Sequence, residues 1–441
     1  MHRIPTVGFV SMGCPKALVD SEIIMTRLRA EGYRLVGSYD NADLVIVNTC
    51  GFLNEAVAES VEAISEALAE NGRVIVTGCL GSRKTLAGEN YVLAHCPKVL
   101  GVTGPGEFDL VYELVHKYLP QPHDPRFDLV PPAGLKLTPK HYAYLKIAEG
   151  CDNRCSYCII PYLRGKFRSR QMDDVLYEAR LLAASGVKEI IVVAQDTSRY
   201  GTDLPGHKRL LPELLRQLCA IEDFHWVRLH YLYPDEIDDE LIDTIASEPK
   251  IVKYLDIPIQ HCNSKILHLM NRRGDGAYLR ELFAKLRDRI PGLVLRTSVI
   301  TGLPGEGEEE FAELCAFLRE MKLERVGAFP FSPEEGTPAA QMEFVDNEIA
   351  QSRAQFVETI QSAIMDEYNA AIIGKSLDVL VDGYDQEYEQ YFGRTYADSP
   401  EIDGRVWIAT QEDISEGEFV KVCIDGLIDG DLTGYIVEEE V

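Results

Sequence analysis

The sequence predicts an α/β chain in three parts: an N-terminal open parallel α/β sheet, a central partial or full β/α barrel, and a small C-terminal antiparallel β-barrel. Three observations carry this expectation. Short β-branched runs alternate with helix-like stretches across residues 5–118. The same alternation resumes at Tyr142 and continues to a long polar-rich helix that closes at Gly374. Beyond it, short alternating runs lie between turn signals such as Asp382-Gly383 and Glu416-Gly417.

In the first part, residues 5–118, Val7-Gly8-Phe9-Val10 precedes an amphipathic run from Leu18 to Leu28. Leu44-Val45-Ile46-Val47 precedes one from Val57 to Leu68, and Val74-Ile75-Val76 a less regular stretch. Strands that alternate with helices in this way pair in parallel. Pro120, Pro122, Pro125, Pro131, Pro132 and Pro139 then stop any regular element, so 119–138 reads as a linker. The second part, 139–373, offers six candidate strands: Tyr142 to Ile147, Glu189 to Ala194, Trp226 to Tyr231, Tyr254 to Ile257, Val294 to Ile300 and Arg325 to Phe329. Right-handed crossovers would gather functional groups at their C-terminal ends. A helix from about Asp346 to Ile372 ends this part. In the third part, 375–441, the strand-like runs are Leu377 to Val381, Gly404 to Ile408 and Phe419 to Val422.

The 441 residues are 46% hydrophobic and 26% charged, which supplies packed cores and excludes global disorder. The formal net charge of −27 argues against a broad phosphate-tracking surface. Residues 375–441 alone hold 18 Asp and Glu against Lys375, Arg394, Arg405 and Lys421, a net −14. An acidic barrel would repel a nucleic-acid backbone and draw in a basic protein, so no direct nucleic-acid readout is expected. Apolar runs such as Glu189 to Ala194 are too short for a bilayer span, and Met1 to Pro5 opens without an apolar leader. The expected address is cytoplasmic, with no membrane partner.

Eleven cysteines in such a chain point to metal or redox chemistry before structural disulfides. The sharpest signal is Cys151-Asp152-Asn153-Arg154-Cys155-Ser156-Tyr157-Cys158, directly after the first strand of the second part. Three thiolates on one short loop can hold three irons of a 4Fe-4S cluster and leave the fourth open. Structural zinc would want a fourth Cys or His, and the nearest histidine, His141, lies across a strand.

This triplet resembles the signature of radical S-adenosylmethionine enzymes, with Tyr157 in the aromatic slot before the last cysteine. Ile300-Thr301-Gly302-Leu303-Pro304-Gly305-Glu306 is similar to that family's cofactor-contacting segment and implies cofactor contacts by Gly302 and Glu306. A glycine-rich strand-to-helix turn is weak evidence alone, and no Lys-Ser/Thr follows to make a phosphate loop.

Cys14, Cys50 and Cys79 each follow a candidate strand of the first part. Loops at the carboxyl ends of neighbouring parallel strands converge, so three such thiols can meet at one point as a second cluster site. The competing reading is three small buried hydrophobes. Gly13-Cys14-Pro15-Lys16, Val19-Asp20-Ser21-Glu22, Asn48-Thr49-Cys50-Gly51-Phe52 and Thr77-Gly78-Cys79-Leu80-Gly81 resemble the methylthiotransferase N-terminal domain. With a radical-SAM core and a TRAM-like terminal barrel, the likeness covers nearly the whole chain. Within that family the Gly-Cys-Pro-Lys form, Cys158-Ile159-Ile160-Pro161 with Arg164-Gly165, and Ser399-Pro400-Glu401-Ile402-Asp403-Gly404 resemble the branch that modifies a protein aspartate. Ala17 stands where that branch usually carries Asn.

The resemblance implies two 4Fe-4S clusters and S-adenosylmethionine. It also implies transfer of a methylthio group to the β-carbon of an aspartate in the twelfth protein of the small ribosomal subunit, a basic partner. An electron donor and a sulfur source are further partners. A radical is required because the C–H bond is not acidic enough for acid–base removal. The rival within the family acts on an isopentenylated adenosine of tRNA. A rival of another class is an iron-sulfur sensor or RNA-binding protein without catalysis.

Gln195, Asp196, His230 and His261 also end strands of the second part, where cofactor contacts belong and where structural capping competes. Arg164 and Arg296 are candidate carboxylate clamps for cofactor or substrate, with surface salt bridges as the alternative. Cys219 and Cys315 share helical faces with apolar residues and read as core, Cys423 lies in a strand pattern, and Cys96 and Cys262 stay open.

Overall fold

The computed structural model describes residues 3–122 and 130–437. The N-terminal part runs β1 (Thr6–Ser11), α1 (Pro15–Ala30), β2 (Arg34–Val36), β3 (Leu44–Thr49), α2 (Asn54–Glu70), β4 (Val74–Gly78), α3 (Tyr91–His95), β5 (Gly101–Val102) and α4 (Phe108–Tyr118). Its strands form a parallel sheet in the order β2-β1-β3-β4-β5. The β-branched runs become its buried centre: all six residues of β3 and all five of β4 are buried. β2 and β5, three and two residues long, are edge strands too short to leave a hydrophobic pattern.

Of the proline-rich stretch 119–138, Pro125 lies outside the described residues. Its later portion is tied to α1: Leu135 N–H donates to Thr26 Oγ1, Leu137 N–H donates to Glu22 Oε1, and Lys136 pairs with Glu22 at 3.0 Å.

The central part begins with β6 (Tyr142–Lys146), β7 (Ala148–Glu149), α5 (Ile160–Arg164), β8 (Arg168–Ser169) and α6 (Met172–Ala184). It continues with β9 (Glu189–Val193), α7 (Leu211–Cys219), β10 (Trp226–Leu229), α8 (Asp239–Ser247), β11 (Ile251–Asp256), α9 (Ser264–Leu269) and α10 (Gly276–Arg289). It ends with β12 (Val294–Thr301), α11 (Glu308–Met321), β13 (Arg325–Pro330) and α12 (Asn347–Ala370), the last capped by Asp346. Six strands pair in parallel in the order β13-β12-β11-β10-β9-β6, and β13 does not return to β6, so the sheet is open and a full barrel is not formed.

The two faces of this sheet have different partners. One face, including Leu145, Ile190, Val192, Val227, Leu229 and Leu295, packs with helix residues such as Leu182, Leu215, Ile242, Leu282 and Leu318 in the largest core. The other carries Tyr142, Tyr144, Ile191 and Val193, which meet Val19 of α1. Alternation along each strand produces this division.

The C-terminal part, β14 (Ser376–Asp385), β15 (Gln390–Arg394), β16 (Val406–Ala409), β17 (Phe419–Ile428) and β18 (Asp431–Ile436), closes as a barrel in the order β14-β15-β16-β18-β17. All its pairs are antiparallel except β16 with β18. The loop after β15 reaches the central sheet: Ser399 Oγ lies 2.9 Å from His230 Nε2, Tyr254 Oη donates to Asp403 at 2.6 Å, and Arg325 pairs with Asp398 at 2.9 Å. Among the described residues no helix is long and apolar enough to cross a membrane.

Candidate active site between two cysteine triplets

All eleven cysteines are free. Cys14 caps α1, Cys50 follows β3 and Cys79 follows β4, as parallel topology requires. The loops touch. A Cβ on Gly13 would stand 3.3 Å from Cys50 Cβ, and one on Gly51 would meet Leu80 N at 2.7 Å and the Cys79 carbonyl carbon at 2.8 Å. Gly13, Gly78 and Gly150, each just before a triplet cysteine, have φ of +96°, +92° and +80°. Only glycine adopts this conformation readily, and it turns each strand end sharply enough to deliver the thiol.

The thiols act on one another electrically. Burial and, less strongly, the Cys14 charge raise Cys50 and push Cys79 up to about 11. Burial also opposes ionisation of Cys14, but Lys16 and Arg164 outweigh it and hold that thiol below its usual range. Arg164 donates from Nε to Cys79 Sγ at 3.2 Å.

The second triplet occupies the loop between β7 and α5. Cys158 N–H donates to Cys155 O at 3.1 Å, and Cys151 N–H to Gly165 O at 3.1 Å. Burial, with Asp196 and Cys155 nearby, raises Cys151 to about 11, and burial beside Cys155 and Cys151 raises Cys158 to about 12. Arg272 Nη1 reaches Cys155 Sγ at 3.8 Å and Tyr157 Oη at 3.1 Å, and Tyr233 Oη lies 3.8 Å from the same sulfur. Asn153 Nδ2 donates to Asp196 Oδ2 at 2.7 Å, tying the loop to the end of β9.

The triplets are neighbours. Cys79 packs in one apolar cluster with Ile159 and Leu163, adjoining Cys158 in the chain, and with Phe52 beside Cys50. Beside it, Asp20 and Glu149 take Arg164 at 3.3 and 2.9 Å and also pair with Lys146, and Gln195 Nε2 donates to Glu149 Oε1 at 2.8 Å. Asp20, Lys146, Glu149, Tyr233 and Arg272 were not singled out from sequence. Asp20 stood within a segment noted for its resemblance, whereas Arg272, in Asn271-Arg272-Arg273, offered no pattern.

The other expected contacts have partners within the chain. Arg296 holds Asp256 at 2.7 Å with Asp403 at 4.0 Å, so its guanidinium is occupied by the chain's own carboxylates. Glu306 accepts from Gly302 N–H at 2.9 Å and pairs with Arg353 at 2.7 Å and His261 at 3.3 Å, anchoring α12. Cys219, Cys262 and Cys315 belong to the main core and Cys96 to an N-terminal one. His141 pairs with Asp382 and Glu416 of the C-terminal barrel and stands apart from the thiols.

Among the described residues no group of three or more His, Cys, Asp and Glu side chains converges on a single-ion site. Thiolates at three corners of a four-iron cluster surround a larger body, and the donor set fits one. Each set would offer three soft ligands, and cationic or hydroxyl groups reach Cys79 and Cys155 as hydrogen-bond partners of sulfur.

Residues 145–318 match the Radical SAM superfamily, 6–96 the Uncharacterized protein family UPF0004, and 373–437 the TRAM domain. Among solved structures, the radical S-adenosylmethionine methyltransferase TsrM from Kitasatospora setae shares the fold at TM-score 0.54 and 16% identity, covering 76% of this chain and 74% of that one. The cobalamin-dependent S-adenosylmethionine radical enzyme OxsB does so at 0.51 and 14%, covering 81% and 56%. Fold and thiol site thus define a radical S-adenosylmethionine enzyme, a class that uses a 4Fe-4S cluster and S-adenosylmethionine. Curated relatives are more specific. The ribosomal protein uS12 methylthiotransferase RimO of Aromatoleum aromaticum is 49% identical over 96% of both chains. Those of Burkholderia orbicola and Proteus mirabilis are 47% identical over 99% of this chain and 100% and 99% of theirs. The chain belongs to the RimO methylthiotransferase family.

Proposed function

We propose that this protein transfers a methylthio group to the β-carbon of an aspartate in ribosomal protein uS12. The observation that carries the reading is the apposition of two free cysteine triplets through the Cys79–Ile159–Leu163 contact. In this reading Cys151, Cys155 and Cys158 hold the cluster that binds S-adenosylmethionine, and Cys14, Cys50 and Cys79 hold a second one. When bound, these groups supply one-electron chemistry that can break an unactivated C–H bond, which no side chain here can do.

The chain's own residues supply placement. Asn153 and Asp196 fix the 151–158 loop to β9, Arg272 donates to Cys155 with Tyr233 Oη 3.8 Å from the same sulfur, and Arg164 joins Cys79 to Glu149. Tyr157 bonds Arg272 and Gln195 bonds Glu149 in the same region, while Arg296, Gly302 and Glu306 are taken as further cofactor contacts by resemblance. Burial of Cys79 and Cys155 keeps water from the reacting centre. The −14 of residues 375–441 favours a basic protein over a phosphate backbone, in keeping with a cytoplasmic ribosomal target. Domain divisions at 119–138 and at Gly374 follow from the same reading. The balance of the reaction calls for an electron donor and a sulfur source.

The test is intact-mass analysis of uS12 from cells with and without the gene. A methylthio increment that disappears on deletion, and returns with wild type but not with Cys151→Ala or Cys50→Ala, is the expected result. An unchanged uS12 beside a tRNA that loses its methylthio group would overturn it.

A further inference from the structure

Lys16 is a buried cation, 7% exposed, whose Nζ lies 3.3 Å from the centroid of the Tyr231 ring. Among the described residues no carboxylate pairs with it. Its buried neighbours differ: Lys146 and Arg164 share Asp20 and Glu149, Arg228 and Arg394 share Glu189, and Arg296 has Asp256. Arg272 also lacks a carboxylate but donates to Tyr157, to the Pro258 carbonyl and to the Cys155 sulfur. An ammonium carries three donors, and the Tyr231 side chain, by ring face and hydroxyl, answers only part of them. Besides the Cys14 thiolate that it stabilises, the ammonium has no carboxylate to offset its burial, and an anionic ligand would supply one.

The position is prepared. Tyr231, partly exposed at the end of β10, has φ of +61°, a conformation rare for a side chain of its size. It is held there by its N–H donating to Asp256 Oδ2 at 3.1 Å and its carbonyl accepting from Thr197 N–H at 3.0 Å. Constrained outliers of this kind cluster at active sites and ligand clamps. Lys16 lies two residues from Cys14 on α1, and Asp20, one turn on, contacts Arg164 and Lys146. Two further buried polar atoms in this network, Arg164 Nη2 and Gln195 Oε1, have no hydrogen-bond partner.

We propose that Lys16 receives the side-chain carboxylate of the substrate aspartate, with Tyr231 fixing the ammonium, so that the adjacent β-carbon lies between the two cysteine triplets. The inference rests on the function proposed above and names how an aspartate is chosen. Neither an adenosine base nor a neutral amide could replace that charge.

The test compares uS12 with a variant carrying Asn in place of the modified aspartate, measuring the Kd of each for the full-length reconstituted enzyme. Wild type is expected to favour Asp by about tenfold or more, the scale of a charge-assisted hydrogen bond. In preparations matched for iron content, Lys16→Met should bring the Asp/Asn ratio close to one with S-adenosylmethionine affinity unchanged, and Lys16→Arg should keep a preference for Asp. If Lys16→Met does not fold, Tyr231→Leu replaces it, with a fall in the ratio of about threefold or more expected. A ratio unchanged in the folded variant overturns the proposal, as does weakened S-adenosylmethionine binding with the ratio intact, which would assign Lys16 to the cofactor's carboxylate. Failure of wild type to modify uS12 would instead remove the proposed function, and this inference with it.

Discussion

Arg164 Nε lies 3.2 Å from Cys79 Sγ while its Nη1 lies 2.9 Å from Glu149 Oε1, so one side chain of the central part bonds a thiol of the N-terminal part and a carboxylate of its own. Asp20 of α1 completes the set at 3.3 Å. Domain docking and thiol placement therefore depend on the same guanidinium. Arg164→Met leaves the buried Asp20 carboxylate and the partly buried Glu149 carboxylate with Lys146 as their remaining cation. Breaking a buried pair by removing one partner costs about 3 kcal/mol or more. Thermal unfolding should show a clear fall in Tm, and methylthio transfer should fall more steeply than S-adenosylmethionine cleavage, which the proposed function assigns to the thiols of the other loop.

Gly78 offers a cleaner separation of the two triplets. Its φ is +92°, and a Cβ there would stand 2.3 Å from Asn48 Oδ1 and 2.6 Å from Thr49 O. Gly78→Ala must therefore displace the turn that presents Cys79, without touching residues 151–158. Iron analysis after anaerobic reconstitution should show about eight irons in wild type and about four in the variant, one four-iron cluster having been lost. An unchanged iron content would show that Cys79 is not a ligand.

What the sequence made legible, and what it did not, follows the range of the interactions. The central strands of both sheets were readable because full burial writes itself as continuous β-branched runs, as in Val45-Ile46-Val47 and Ile190-Ile191-Val192. β15 and β18 were missed because Gly393 and Gly434 interrupt their alternation at close backbone crossings, where a Cβ would meet Leu380 O at 2.3 Å and Cys423 O at 2.4 Å. The apposition of Cys79 with Ile159 joins positions 80 residues apart, and no local spacing encodes it. Arg296 and His230 read as site residues because they lie near strand ends, but the loop after β15 brings Asp403 and Ser399 to them from more than a hundred residues away.

Glu189 gives a pH prediction for the junction with the C-terminal barrel. The carboxylate is fully buried and bridges Arg228 at 2.6 Å and Arg394 at 2.7 Å. Burial pushes its pKa up, but the two guanidiniums outweigh burial and hold it below the usual 4.5. Asp382, partly buried, is held below 3.8 by His141 and Arg394. A carboxyl depressed in the folded state stabilises fully above its unfolded pKa and loses that contribution as pH falls below it. Unfolding free energy should thus begin to drop below about pH 4.5. Glu189→Gln should be destabilised by about 3 kcal/mol at pH 7 and show a shallower acid dependence than wild type. Parallel acid profiles for the two proteins would contradict the assignment.

Arg272 tests the electrostatics of the Cys151, Cys155 and Cys158 triplet. Its guanidinium is buried, 3.8 Å from Cys155 Sγ and 4.4 Å from the Tyr233 ring centroid. Reduction adds negative charge to whatever the thiolates hold, and a cation that donates to sulfur stabilises the more negative state. Arg272→Met removes the charge and the donor while keeping an apolar side chain between Tyr157 and Tyr233. The reduction potential associated with Cys151, Cys155 and Cys158 should then fall by tens of millivolts, on the order expected for a lost hydrogen bond to sulfur. Redox titration followed by electron paramagnetic resonance reads this directly when Cys14, Cys50 and Cys79 are replaced by Ala so that one signal remains. A weaker electron acceptor would slow S-adenosylmethionine cleavage at a fixed reductant potential and recover with a stronger reductant. A variant that lost activity with its potential unmoved would show that Arg272 acts through the Pro258 carbonyl and the loop it supports, and not through the sulfur.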